Sequence, residues 1–116
     1  MSNTSKPEIL NQNRDFRRLY ARGSSNANPA LVVYTMRNRA GICRIGITSS
    51  KKIGNAVERN KSRRLIRAAF REVYKEYEKQ LQGYDIVFVA RVKTRYKKST
   101  ELETVMKDCL KKTGVI

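Results

Sequence analysis

The most constraining stretch of this chain is the long amphipathic segment at residues 55–81. Ile66, Phe70, Val73, Tyr77 and Leu81 recur at spacings of 4, 3, 4 and 4, which aligns them on one face of an α-helix. Such a stripe has to be covered, and Gly83 supplies the stop. The same helix carries six basic residues and no acid from Arg59 to Arg71, five of the six being arginine. At about 100° per residue, Asn60, Arg63, Arg64, Arg67 and Arg71 fall in one sector, and Glu58, Glu72 and Glu76 fall well away from it. A charge run is ordinarily a solvated face, and a solvated face mixes signs at i,i+4. This helix segregates them. Its arginines can each hold two phosphate oxygens and stack on bases, which an ammonium cannot do.

The flanking segments give the helix its partners. Residues 13–22 read as a short helix, with Asn13 as N-cap, Gly23 as stop, and Phe16, Leu19 and Tyr20 on one face. A polar loop at 24–29 follows. Leu31–Arg37 and 42–48 read as strands joined in a hairpin by Asn38, Arg39, Ala40 and Gly41. A basic loop at 49–54 carries Lys51 and Lys52. Residues 84–91 read as a strand apolar on both faces, hence central or covered on both sides. A last helix starts near Ser99 or Thr100, with Thr100 and Glu103 as capping box and Gly114 as stop. Leu102, Val105, Met106, Cys109 and Leu110 form its apolar face. The order is α-β-β-α-β-α, an α+β fold with helices on a small mixed sheet. Residues 1–12 read as a flexible tail and 13–116 as a single domain.

Composition narrows the function. The 116 residues hold 26 Lys and Arg against 10 Asp and Glu, a net charge of +16. A balance this basic favours a polyanionic partner, nucleic acid before membrane. There is no histidine, which removes Ser–His and Cys–His nucleophiles and histidine acid–base cleavage of RNA. Cys43 and Cys109 cannot close a zinc site by themselves and read as buried free thiols. No acidic cluster suits two-metal phosphoryl chemistry. Gly41 and Gly46 have P-loop spacing, but Ile47 stands where the lysine is required. No apolar run is long enough to span a membrane, the N-terminal residues lack a signal-like apolar core, and the chain reads as cytoplasmic.

Two further groups point to RNA. Lys51 and Lys52 lie close to the positive N-terminal end of the long helix and suit phosphate. Phe16, Tyr20 and Tyr34 offer aromatic surface lined by positive charge, the way single-stranded nucleic acid is bound. The plain alternative is that Phe16 and Tyr20 are core.

Residues 50–67, with Gly54, Asn55, Glu58 and the run Arg59-Asn60-Lys61-Ser62-Arg63-Arg64 through Arg67, strongly resemble the signature of the protein component of bacterial ribonuclease P. Asp15, Phe16, Tyr20, Ala27, Asn28, Val33, Tyr34 and the strand ending at Arg91 resemble that family as well. The resemblance implies a protein subunit of a ribonucleoprotein endoribonuclease. Its RNA removes the 5′ leader of precursor tRNA with magnesium ions held at the RNA active site, and the protein has no catalytic residue, metal or cofactor. It implies that Arg59, Asn60, Lys61, Arg63, Arg64 and Arg67 contact the catalytic RNA. Phe16, Tyr20 and Tyr34 would line a cleft for the leader, with Lys51, Lys52 and Arg91 at its edges. It also implies about four strands and a left-handed β-α-β crossover. The partners expected are the catalytic RNA and precursor tRNA, with no membrane and no obligate protein partner. Ser62 falls where a basic or apolar residue would also be at home. The rivals are a ribosomal or other structural RNA-binding protein and a duplex-DNA binder, the latter disfavoured by the bulky apolar stripe beside the arginines.

Overall fold

A computed structural model describes residues 6–116. In chain order the elements are β1 (Glu8–Ile9), α1 (Asn13–Arg22), β2 (Ser24–Asn28), β3 (Leu31–Arg37), β4 (Arg44–Thr48), α2 (Ala56–Leu81), β5 (Tyr84–Ala90) and α3 (Ser99–Lys112). Short 3-10 turns stand at Lys51–Ile53 and Thr94–Tyr96. The five strands make one mixed sheet in the order β1-β4-β5-β3-β2. The α+β class holds, with one strand more than expected from the resemblance.

β5 takes the middle of the sheet because both of its faces are apolar. Ile86 and Phe88 pack under α2 and α3, while Val87 and Val89 join the smaller cluster under α1. α2 buries Ile66, Phe70, Val73 and Leu81 against the first face, each contributing about 1.5–3 kcal/mol. Leu102, Met106, Cys109 and Leu110 of α3 complete that core. On the other face Leu19 of α1 sits on Val87 with Leu10. Both Cys43 and Cys109 are buried and free.

Several expectations are corrected. β3 and β4 do not form a hairpin: β5 lies between them, antiparallel to β3 and parallel to β4. Asn38 organises the connection instead, its side-chain amide donating to the Ile42 carbonyl and to Asp85 Oδ1 at 2.9 and 2.8 Å. The polar loop at 24–29 is in fact mostly strand. β2 pairs with β3 over five residues, and its ladder is supplied by backbone groups that need no apolar pattern. The flexible tail through residue 12 does not hold from Glu8 on. β1 pairs with β4, and Leu10 is buried; residues 1–5 lie outside the described residues. Asn13 is the first residue of α1 and not its cap, and the preceding Gln12 makes no side-chain capping bond. α3 starts at Ser99 as expected, but its cap lies two residues before Thr100: Glu101, not Glu103, accepts the Lys98 backbone N–H at 2.8 Å.

Candidate nucleic-acid interface

The start of α2 is fixed by its own sequence. Asn55 accepts the Glu58 N–H at 2.9 Å, and Glu58 accepts the Asn55 N–H at 3.0 Å, a reciprocal cap. Gly54 makes room for this: a Cβ at that position would lie 2.2 Å from Glu58 Oε1. Arg95 reaches across from the turn after β5 to pair with Glu58 at 3.4 Å and to donate to the Ile53 carbonyl. The acid at the N-terminal end of the basic run is therefore already occupied.

Beyond the cap, Asn60, Lys61, Arg64 and Arg67 are exposed, and Arg59 and Arg63 are half-buried. Arg59 donates to the Gly54 carbonyl at 2.9 Å, so it serves the start of the helix as well as any ligand. Arg63 donates to Asn60 Oδ1 at 2.5 Å, which presents guanidinium and amide as one unit. Ser62 is fully buried, its hydroxyl donating to the Glu58 carbonyl at 3.0 Å. The expectation that a basic residue would be at home there is corrected, since a long charged chain would have to enter the core.

The aromatic group forms on the opposite face of the sheet. The ring of Phe16 lies directly over Gly46, where a Cβ would come within 2.6 Å of it. Tyr20 meets Tyr34 edge-on with centroids 4.9 Å apart, and Phe16 stands 6.5 Å from Tyr20. Tyr20 is 43% exposed; Phe16 and Tyr34 are half-buried. Part of each ring is thus committed to packing and part is available to a ligand.

Asp85 holds α1 in this position. Its carboxylate is buried and takes Arg44 Nε at 2.7 Å, Arg44 Nη2 at 2.9 Å and, more distantly, Arg18 Nη2 of α1 at 3.4 Å. The hydrogen bond to Asp85 holds the Arg44 pKa above its ordinary value. Sequence reasoning missed this network, because Asp85 sits in a strand with no local pattern announcing a charge partner.

Lys51, Lys52 and Arg91 lie toward one end of the sheet. β4 and β5 are parallel, so the turn holding the two lysines and the residue after Ala90 leave the sheet on the same side. Arg91 Nη1 donates to the Asn28 carbonyl at 3.1 Å, and all three side chains are exposed. The twelve residues singled out from sequence therefore form two groups on opposite sheet faces, with a basic end between them. Among the described residues, no set of three His, Cys, Asp or Glu side chains could hold a metal ion, and no helix is long and apolar enough to cross a membrane.

Comparison with known proteins supplies the context for this geometry. A family model described as Ribonuclease P matches residues 4–114. The ribonuclease P protein component of Clostridium botulinum (strain Loch Maree / Type A3) is 39% identical over 95% of this chain and 97% of its own length. That of Clostridioides difficile (strain 630) is 41% identical over 91% of each. Among solved structures, the RNase P protein of Staphylococcus aureus superposes with a TM-score of 0.76 at 36% identity, covering 95% of this chain and 98% of that one. The RNase P protein of Thermotoga maritima gives 0.70 at 27% identity, covering 87% and 93%.

Proposed function

The chain belongs to the ribonuclease P protein family, and from that premise we propose a division of labour in which this subunit grips RNA on two faces and leaves the chemistry to its RNA partner. It is the protein component of the ribonuclease P complex, a tRNA-processing ribonucleoprotein. The observation that carries the reading is the separation of an acid-free arginine row from an aromatic shelf by the thickness of one sheet.

Arg59, Asn60, Lys61, Arg63, Arg64 and Arg67 bind the catalytic RNA. Planar guanidiniums suit bidentate phosphate contacts, and the Arg63–Asn60 pair adds a fixed amide. Phe16, Tyr20 and Tyr34 receive the single-stranded 5′ leader of precursor tRNA, each exposed ring face stacking on a base. Lys51, Lys52 and Arg91 take phosphates where the strand passes the end of the sheet. Hydrolysis of the phosphodiester bond belongs to the RNA with its magnesium ions. The protein offers no histidine and no cluster of metal ligands among its described residues.

The test is reconstitution. The protein alone, free of RNA and given precursor tRNA and magnesium, should leave the substrate intact. Added to the catalytic RNA at low magnesium, it should accelerate cleavage at the mature 5′ end. Specific cleavage by the RNA-free protein would overturn the assignment.

A further inference from the structure

A groove of about 1040 Å³ runs between β1 and the neighbouring side of α2. Ile9, Ile45, Ile47 and Phe70 line it, and Arg67 and Arg71 stand along it. Ile9 is 68% exposed although β1 holds it beside Ile45. Arg67, Arg71 and Lys75 follow one another at i, i+4 and i+8, a single row on the helix. Glu72 engages Lys75 at 3.2 Å. Among the described residues no ion pair joins Arg67 or Arg71 to an acid. Lys6 adds a cation to the same lining, in which Glu78 is the one acid.

We propose that this groove receives an unpaired nucleobase of the catalytic RNA, with Arg71 and Lys6 on the phosphates beside it. The inference rests on the reading of α2 as the catalytic-RNA contact and extends that contact about two further turns, from Arg67 to Arg71 and Lys75. A nucleobase has apolar faces and anionic neighbours, and the groove has the matching apolar floor and cationic rim. Arg67 belongs both to the arginine row and to the groove, so the two surfaces are continuous. A second copy of the chain is a poorer occupant, because its own rim of Lys6, Arg67, Arg71 and Lys75 would face the same cations. The groove lies on the α2 side of the sheet, away from the aromatic shelf, which assigns the base to the catalytic RNA and not to the leader.

The experiment titrates the full chain with the catalytic RNA at several salt concentrations, using wild type, Ile9→Ser, Arg71→Ala and Arg64→Ala. Dimethyl sulfate probing of each complex accompanies the titrations. Ile9→Ser should weaken binding several-fold, through loss of apolar contact area, with the salt slope unchanged. Arg71→Ala should weaken binding and lower the slope by about one. An unpaired base protected by the wild type should become reactive in the Ile9→Ser complex. If Ile9→Ser proves misfolded by circular dichroism, Arg71→Ala and the protection map around it decide the matter. Weakening by Arg64→Ala alone, with the other two variants binding and protecting as wild type, overturns the groove and leaves the arginine row standing. Indifference to all three changes overturns both. A dimer of the free protein that Ile9→Ser dissociates would give the groove to a second copy.

Discussion

At Gly46 a missing Cβ sets how close α1 comes to the sheet. Phe16 occupies the space that any side chain there would need, so Gly46→Ala must lift the ring or tilt the helix. Overpacking of this kind costs about 1–3 kcal/mol. The variant should melt several degrees lower and lose leader binding while keeping its affinity for the catalytic RNA, as thermal denaturation and filter binding would show. Cys43 gives a second residue-scale expectation. Burial first, and then Asp85, pushes its pKa from 9.0 up to about 12. Between those values the folded protein keeps a proton that the unfolded chain releases, so stability falls as pH rises. The contribution is fully present below pH 9 and is lost on the way to 12. Denaturant titrations across that window should show wild type losing more stability than Cys43→Val; parallel curves would show that the thiol stays neutral in neither state or in both.

At the scale of elements, α2 carries the argument. Arg63→Ala, Arg64→Ala and Arg67→Ala should each weaken binding to the catalytic RNA by roughly 1–3 kcal/mol, as charge-assisted contacts do. Each should reduce the salt slope by about one and leave the melting temperature nearly unchanged, since none of the three side chains is buried in the core. Unaltered affinity and slope in all three would make the row a solvated face. Most of this element was legible, because its stripe, its stop and its charge segregation are all local in sequence; the break in helical geometry at Tyr77 (φ −120°, ψ 25°) was not. The edge strands were not. Ser24, Ser25, Asn26, Ala27 and Asn28 of β2 show no hydrophobic alternation, and the two residues of β1 are too few to show any. Strand pairing was misjudged for a related reason. Neighbours in sequence usually pair, but β5 has the more fully apolar faces and displaces that pairing from the middle of the sheet. The candidate site residues are legible as types, since arginines, lysines and aromatics are what the proposed RNA contacts require. Their geometry is not, because Gly46 under Phe16 and Arg95 on Glu58 are contacts between segments far apart in the chain.

The whole molecule is a sheet with the arginine row on one side and the aromatic shelf on the other, and the proposed function gives each side its own RNA. α2 and α3 cover one face and α1 part of the other, so in the proposed function the arginine row and the aromatic shelf take different stretches of RNA. This separation is the central claim, and Tyr34→Ala tests it most directly. Tyr34 is half-buried and meets Tyr20 edge-on, so its loss should be tolerated by the fold. The measurement is the affinity of the reconstituted complex for precursor and for mature tRNA, with wild-type protein and with the variant. One lost base stack is worth about 1–3 kcal/mol, so precursor binding should weaken about tenfold. Mature tRNA has no leader, and its binding should be unchanged, as should assembly with the catalytic RNA. Equal losses for precursor and mature tRNA, accompanied by a melting temperature several degrees lower, would contradict the account and return Tyr34 to the core.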